Sequence, residues 1–389
     1  MSPERLKQVP AEEFRKRIDR ARNLLKGKDQ DAVVLFDSTA IEYLTGFNHV
    51  QTERPVILAL NQEEIRVTVP RLEVKRVSEV ETIDRVHSYF DYPQGKPIET
   101  ASEMIGEMDA ENVLADSEGA PGTMGYEGPS LSEFKQLETE DFVINWRKKK
   151  SDVEVALVGE STKWGKRGHE IMESLVEPGR YAATISQEAS MKASKEMMED
   201  HGEEYAERTR FDGPVMAGIL TGKKTRLPHA HNSNKKIQRG DTLISGAVAN
   251  VDGYYSELER TMFVREASEE QKHRFRQMLE AQDIAINECG PGVPIRKVAE
   301  EVYNYFKEQG VEKYVQHHVG HNIGMQGHEP PFIDRGTEGE MKPGQIYTLE
   351  PGIYTEDNGY RHSDTLLITE DGTEMITDHP RDLQSNIIR

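Results

Sequence analysis

The texture of the chain changes at Trp146, and that change constrains the fold more than any other feature. Arg147-Lys148-Lys149-Lys150 is a basic run, and Ser151-Asp152-Val153-Glu154 has the spacing of a capping box. In such a box the serine hydroxyl and the glutamate carboxylate each accept a free backbone N–H at the start of a helix. Before this point, Phe14, Ile18, Ala21 and Leu25 recur at helical spacing, and Ala32-Val33-Val34-Leu35-Phe36 reads as a buried parallel strand. Further strands are expected at Val56–Leu60 and Ile65–Val69, with helices around Leu72 to Val77 and Ile98 to Met108, an alternation that predicts a layered α/β domain. After it, Glu177-Pro178-Gly179 precedes a helix from about Ser186 to Met198, and Gly290-Pro291-Gly292 precedes another from about Arg296 to Gln309, each following a long helix. Two such halves would form a pseudo-twofold domain with a central sheet. The spacing places the domain boundary between residues 1–150 and 151–389.

A chain of 389 residues suits two unequal domains better than one core. Its 69 acidic against 49 basic side chains give a formal net charge of -20, which repels a phosphate backbone, so no nucleic-acid partner is expected. The acid excess is spread along the chain, consistent either with a high-salt cytoplasm or with ordinary solubility charge. Cys289 is the single cysteine, so no disulfide can form within the chain, which fits an intracellular location. Met1 through Phe14 lacks the apolar core of a secretory signal, and no later run reaches the length of a membrane span. The expectation is a cytoplasmic protein without membrane contact.

Histidine, glycine and glutamate concentrate late in the chain, in His317-His318-Val319-Gly320-His321-Asn322-Ile323-Gly324, in Leu349-Glu350-Pro351-Gly352 and in Gly359-Tyr360-Arg361-His362-Ser363-Asp364. These stretches, in this order, resemble the signature of the pita-bread (M24) hydrolases, the family of methionine aminopeptidase, Xaa-Pro aminopeptidase, prolidase and creatinase. The resemblance covers essentially the whole chain, more specifically after residue 220. It implies an α/β (α+β) protein: a small N-terminal creatinase/prolidase-type domain over 1–150, then a C-terminal pita-bread catalytic domain over 151–389. In the family's peptidases two adjacent divalent metals are held by two Asp, one His and two Glu. Here His321 matches the ligand His and Glu350 the first Glu. The first Asp position falls on Gly246, the second on Glu257, and the second Glu position on Ser363. Losing the bridging oxygens removes the charge that neutralises a two-metal site. The expectation is therefore no metal cofactor, the alternative being one divalent ion on Glu257, His321 and Glu350.

The departures have a pattern. Gly253-Tyr254-Tyr255-Ser256-Glu257-Leu258-Glu259-Arg260-Thr261-Met262-Phe263 resembles a creatinase strand that also ends in Leu-Glu-Arg-Thr, and the Asp241-to-Gly253 spacing and Asn386-Ile387-Ile388-Arg389 are similar as well. Creatinase cleaves a C–N bond of a small guanidino acid without a metal. On a strand, Glu257, Glu259 and Thr261 face one way and Leu258 and Arg260 the other. Glu257, Glu259 and Glu350 would then cluster and bind a substrate cation, unless Glu259 pairs with an internal arginine. His229, in Leu227-Pro228-His229, aligns with creatinase's general acid and base and with a substrate-contacting His of the peptidases, with His231 as a competitor. Arg54 follows Tyr43-Leu44-Thr45-Gly46-Phe47 as an arginine does in creatinase, where it reaches the substrate carboxylate from the other subunit; the plainer reading is a surface arginine. His328-Glu329-Pro330-Pro331 points instead to the His-Glu-x-Pro segment of Xaa-Pro enzymes.

The first reading is a metal-independent, creatinase-like hydrolase of a guanidino or zwitterionic substrate. Its catalytic residues are His229, Glu259, His321 and Glu350, and its substrate contacts Arg54, Glu257, His317, His328 and Arg361. The alternatives are an Xaa-Pro dipeptidase or aminopeptidase with an altered metal site and a non-catalytic peptide-binding module. The expected partner is a small-molecule or dipeptide substrate, and the resemblance implies a homodimer.

Overall fold

The computed structural model of the chain describes residues 6–117, 125–203, 205, 213–231 and 234–389. These residues fall into two compact units, Val9–Arg147 and Lys148–Arg389, the second including the described residues before Val9. Among the described residues no helix is long and apolar enough to cross a membrane.

The first unit is a six-stranded mixed sheet. Its strands are β1 (Ala32–Leu35), β2 (Ile57–Leu60), β3 (Ile65–Pro70), β4 (Arg85–Tyr89), β5 (Asn112–Ala115) and β6 (Gln136–Thr139), in the order β4-β3-β2-β1-β5-β6. The helices are α1 (Ala11–Lys26), α2 (Ser38–Thr45), α3 (Val74–Val77), α4 (Pro97–Gly106) and α5 (Phe142–Arg147). The strand expected at 32–36 is parallel to β5 but antiparallel to β2, and all four of its residues are buried, as a continuous apolar run requires. Ile98, Ala101, Met104 and Ile105 of α4 pack on Ala32, Val34, Ile57 and Ala59 of the sheet.

The second unit repeats one plan twice. α6 (Asp152–Leu175) opens on the expected capping box, with Glu154 Oε2 accepting the Ser151 N–H at 2.8 Å, and α7 (Ala182–His201) follows. These helices pack on β7 (Val215–Thr221) and β8 (Thr242–Val251), whose sheet adds β9 (Tyr254–Tyr255), β10 (Leu258–Val264) and β18 (Ile387–Ile388). In the second half α8 (Glu269–Glu288) and α9 (Ile295–Glu308) cover a sheet ordered β12-β11-β13-β16-β17. Its strands are β11 (Gly320–Asn322), β12 (Glu329–Ile333), β13 (Ile346–Leu349), β16 (Asp364–Ile368) and β17 (Thr373–Met375); β14 (Gly352–Tyr354) and β15 (Gly359–Arg361) form a separate hairpin.

The weak echo read in the sequence has a structural counterpart. Gly179 and Gly292 both take the left-handed backbone, at φ +92° and +78°, where an L side chain would be strained. Each donates its N–H at 2.8 Å to a distant extended segment, Gly179 to Ile237 and Gly292 to Met341. The next turn repeats too: Tyr181 bridges Lys236, and Pro294 bridges Glu340. The helix expected at 186–198 is longer than the sequence pattern indicated because Tyr181, pinned by that bridge, starts it early.

The two sheets are joined through Arg260 on β10. Its guanidinium is fully buried and forks onto Asp364 of β16, Nη2 to Oδ1 at 2.8 Å and Nη1 to Oδ2 at 3.1 Å, while also donating to the carbonyls of His379 and Pro380. Removing one partner of such a pair leaves a buried, uncompensated charge. Arg260→Ala should lower unfolding stability by about 3–5 kcal/mol; a urea midpoint close to that of the wild type would show that the pair does not carry this load.

Candidate active site

Strand register brings the site together. Glu259 on β10 lies opposite Gly246 on β8, and Gly246 lies opposite Gly218 on β7. Alternation puts Glu257 and Glu259 on the same side of the strand, with Arg260 on the other. From the second half, β11 supplies His321, Glu350 follows β13, Arg361 ends β15, and His328 precedes β12.

His321 Nε2 is buried, lies 3.4 Å from Glu350 Oε1 and 3.8 Å from Glu257 Oε2, and has no well-aligned hydrogen-bond partner among the described residues. The His328 ring stacks on it at 3.8 Å between centroids. Ser363 Oγ donates to Glu257 Oε1 at 2.6 Å. Arg361 forks onto Glu259, through Nε to Oε2 and through Nη2 to Oε1 at 2.6 Å, with Glu350 Oε2 3.7 Å away. Tyr354 links this pair to His317. Arg361 Nη1 donates to its hydroxyl oxygen at 3.1 Å, and the hydroxyl lies 2.7 Å from His317 Nε2. Since His317 Nδ1 faces the His318 carbonyl at 2.8 Å, the ring donates there and Nε2 accepts the tyrosine proton.

Three carboxylates in one place must share protons or a cation. Burial and the neighbouring Glu350 push Glu257 up to about 7. Burial also raises Glu259, against the pull of Arg361. Burial alone would lower His321, but Glu350 and Glu257 outweigh it and raise the imidazole to about 9. Burial would likewise raise Glu350, yet His321 and Arg361 bring it down to about 2. Burial followed by the charge of His321 takes His328 down to about 4.

Of the residues singled out in the sequence, Glu257, Glu259, His317, His321, His328, Glu350 and Arg361 are thus brought together. His229 is exposed yet close enough to His328 to act on its charge, and His231 is exposed as well. Arg54 belongs to the first unit, where it is held by Asp91 (Nε to Oδ1, 2.5 Å) and Glu53 (2.5 Å). Tyr354 was missed, although it stands four residues after Glu350, a spacing that on extended backbone returns a side chain to the same face.

The sequence model for Metallopeptidase family M24 matches residues 158–370, and that for the Creatinase/Prolidase N-terminal domain matches residues 17–140. The chain belongs to metallopeptidase family M24. The Xaa-Pro dipeptidase of Pyrococcus horikoshii is 30% identical over 257 residues, covering 65% of this chain and 69% of the relative. That of Pyrococcus furiosus is 30% identical over 274 residues, covering 68% and 74%. In fold, the Xaa-Pro dipeptidase from Bacillus anthracis matches with a TM-score of 0.80 at 22% identity, over 96% of this chain and 99% of that one. The prolidase from Thermococcus sibiricus matches with a TM-score of 0.80 at 24% identity, over 96% and 98%.

Two expectations change. The reading without a metal cofactor is overturned: this M24 hydrolase belongs to a metallopeptidase family, and Glu257, His321 and His328 bring ligand atoms within 4.8 Å of one another, as do Glu257, Glu259 and Glu350. The orphaned, buried Nε2 of His321, facing two carboxylates, fits a cation. The guanidino-substrate reading is unsupported, since the relatives are Xaa-Pro dipeptidases and Glu259 is already engaged by the protein's own guanidinium.

In metal-free protein the native state keeps the Glu257 proton to about 7, whereas the unfolded chain releases it near 4.5. The native state therefore binds more protons in that interval, and stability falls as pH rises through it. Chelated Glu257→Gln should match the wild type at pH 5 and exceed it by on the order of 2–3 kcal/mol at pH 8. Parallel stability curves in chemical denaturation would refute the shift.

Proposed function

We propose that this M24 hydrolase is an Xaa-Pro dipeptidase that works with one divalent ion. The observation that carries the reading is the charge balance of the site. Glu257, Glu259 and Glu350 against Arg361 leave two negative charges, the amount that one divalent ion neutralises. In the peptidases that the sequence resembles, two Asp and two Glu face two such ions. Gly246 and Ser363 remove two of those carboxylates, and Arg361 places a guanidinium on Glu259, opposite Gly246. Glu257, His321 and Glu350 would hold the ion, with His328 beside them, a mixed imidazole and carboxylate set that suits manganese, cobalt or zinc.

When bound, the ion supplies Lewis-acid polarisation to the scissile carbonyl and to the attacking water. Glu350, kept ionised by His321 and Arg361, takes a proton from that water. As the C–N bond breaks it returns the proton to the proline nitrogen, releasing the amino acid and proline. His229 and His328 would donate to the substrate carbonyl. A side chain placed on Gly218 would meet nothing within 4 Å, so the strip of sheet beside Gly246 leaves room for the dipeptide.

Purified protein should contain one ion per chain, hydrolyse Ala-Pro or Gly-Pro, lose that activity on exhaustive chelation and regain it with manganese. Glu350→Gln should lower kcat by roughly 10²–10⁴-fold with little change in KM. Undiminished activity after chelation, or no Xaa-Pro cleavage by the metal-loaded protein, would sink this reading.

A further inference from the structure

On the opposite face of the β8–β10 sheet lies a second group of metal-ligating side chains. His169 and Glu173 stand four residues apart on α6, one turn along the same face, and His379 comes from the segment after β17. His169 Nδ1 is 3.5 Å from Glu173 Oε1, and the same oxygen is hydrogen-bonded to His379 Nε2 at 3.2 Å, a contact that ligation would replace. Ligand atoms of all three residues lie within 4.8 Å of one another. Ligands about 2.0–2.1 Å from a tetrahedral ion are separated by about 3.3 Å, close to the 3.5 and 3.2 Å from Glu173 Oε1 to the two imidazole nitrogens.

A hydrogen-bond argument independent of those distances fixes the tautomer. The Ser245 hydroxyl donates its one proton to the Arg260 carbonyl at 3.0 Å, so its oxygen accepts from His169 Nε2 at 2.6 Å. His169 Nδ1 is then a bare lone pair. It is fully buried, has no hydrogen-bond partner among the described residues, and faces a carboxylate. Two acceptors set against each other call for a cation between them. Burial, His379, Arg260 and His362 all oppose protonation of His169, so the ring is neutral and ready to ligate. Arg260 adds no net charge because Asp364 neutralises it. Glu173 is partly exposed and gives a path to solvent.

We propose that His169 Nδ1, Glu173 and His379 Nε2 form a zinc-type site with an open fourth position for water, clipping the segment after β17 to α6. Ser245 is a positioning residue that aims His169, in the way that metal-ligating imidazoles are held through their other nitrogen. The site is separate from the catalytic cluster. Ser245 and Gly246 are consecutive on β8, as are Glu259 and Arg260 on β10, and their side chains point to opposite faces.

Metal-stripped full-length protein and a His379→Gln variant would be titrated with Co²⁺, following visible ligand-field absorption and total stoichiometry. The wild type should bind one more equivalent than the variant, with the intensity of a tetrahedral centre, and the variant should lose at least about 100-fold in affinity for that equivalent. Glu173→Gln should behave in the same way. In a His321→Ala background, which removes a catalytic ligand, the equivalent should persist, and Zn²⁺ should raise the thermal midpoint only while His379 is present. Only the difference made by His379 is read, so the result does not depend on how many ions the catalytic cluster holds. Equal Co²⁺ stoichiometry in wild type and His379→Gln would overturn the proposal.

Discussion

The antiparallel register of β8 and β10 decides what each face of this sheet can do. With Glu259 opposite Gly246, the strand presents Glu257 and Glu259 to one side and Arg260 to the other, and no slip by one residue is tolerable. Such a slip would turn a fully buried arginine, forked onto Asp364, into the acidic cluster and two carboxylates into the packing under α6. The Arg260–Asp364 pair therefore does more than join two sheets. Its geometry is a check on the register that lines up the acidic groups behind it.

Charge then decides what the acidic face can hold. Without an ion the site approaches neutrality by retaining protons on Glu257 and His321, the two groups driven upward in pKa. Two protons and one divalent ion are equivalent in charge, so binding an ion exchanges for protons rather than adding to them. On the proposed one-ion reading, the place of a second ion is taken by the Arg361 guanidinium, beside Gly246 and Ser363, which provide no carboxylate. A side chain at Gly246 would press its Cβ to 3.3 Å from Glu259 Oε1, so the glycine and the Arg361–Glu259 pair belong to one arrangement.

Much of this was legible before the structure. The capping box at Ser151, the apolar run of β1 and the paired Pro-Gly turns are local signals, each fixed by a few adjacent residues. His321, Glu350 and Glu257 were found because they stand in ordered motifs. What escaped was pairing over distance. Lys150, from the basic run at 147–150, is buried against Glu329 at 3.1 Å and also contacts Asn322. Arg361 lay in a recognised motif, yet its partner could not be chosen among several nearby acids. His169 and His379 are separated by most of the second unit and belong to no motif. Periodicity reports which face a residue occupies, not which residue meets it there.

The duplicated plan explains why chemistry gathers where it does. Each half contributes a helix pair joined by a left-handed glycine turn, and each turn is pinned to an extended segment by the same backbone bond. The two glycine turns themselves supply none of the acidic cluster's side chains. The acidic cluster comes from the strands: β10 contributes carboxylates, and β11, β15 and the residue after β13 contribute His321, Arg361 and Glu350. The reciprocal N–H to C=O bonds between Glu259 and Ser363, at 3.1 Å in each direction, form the seam between the halves. The sheet can therefore present carboxylates on one face while Ser245 on the other holds His169 of α6.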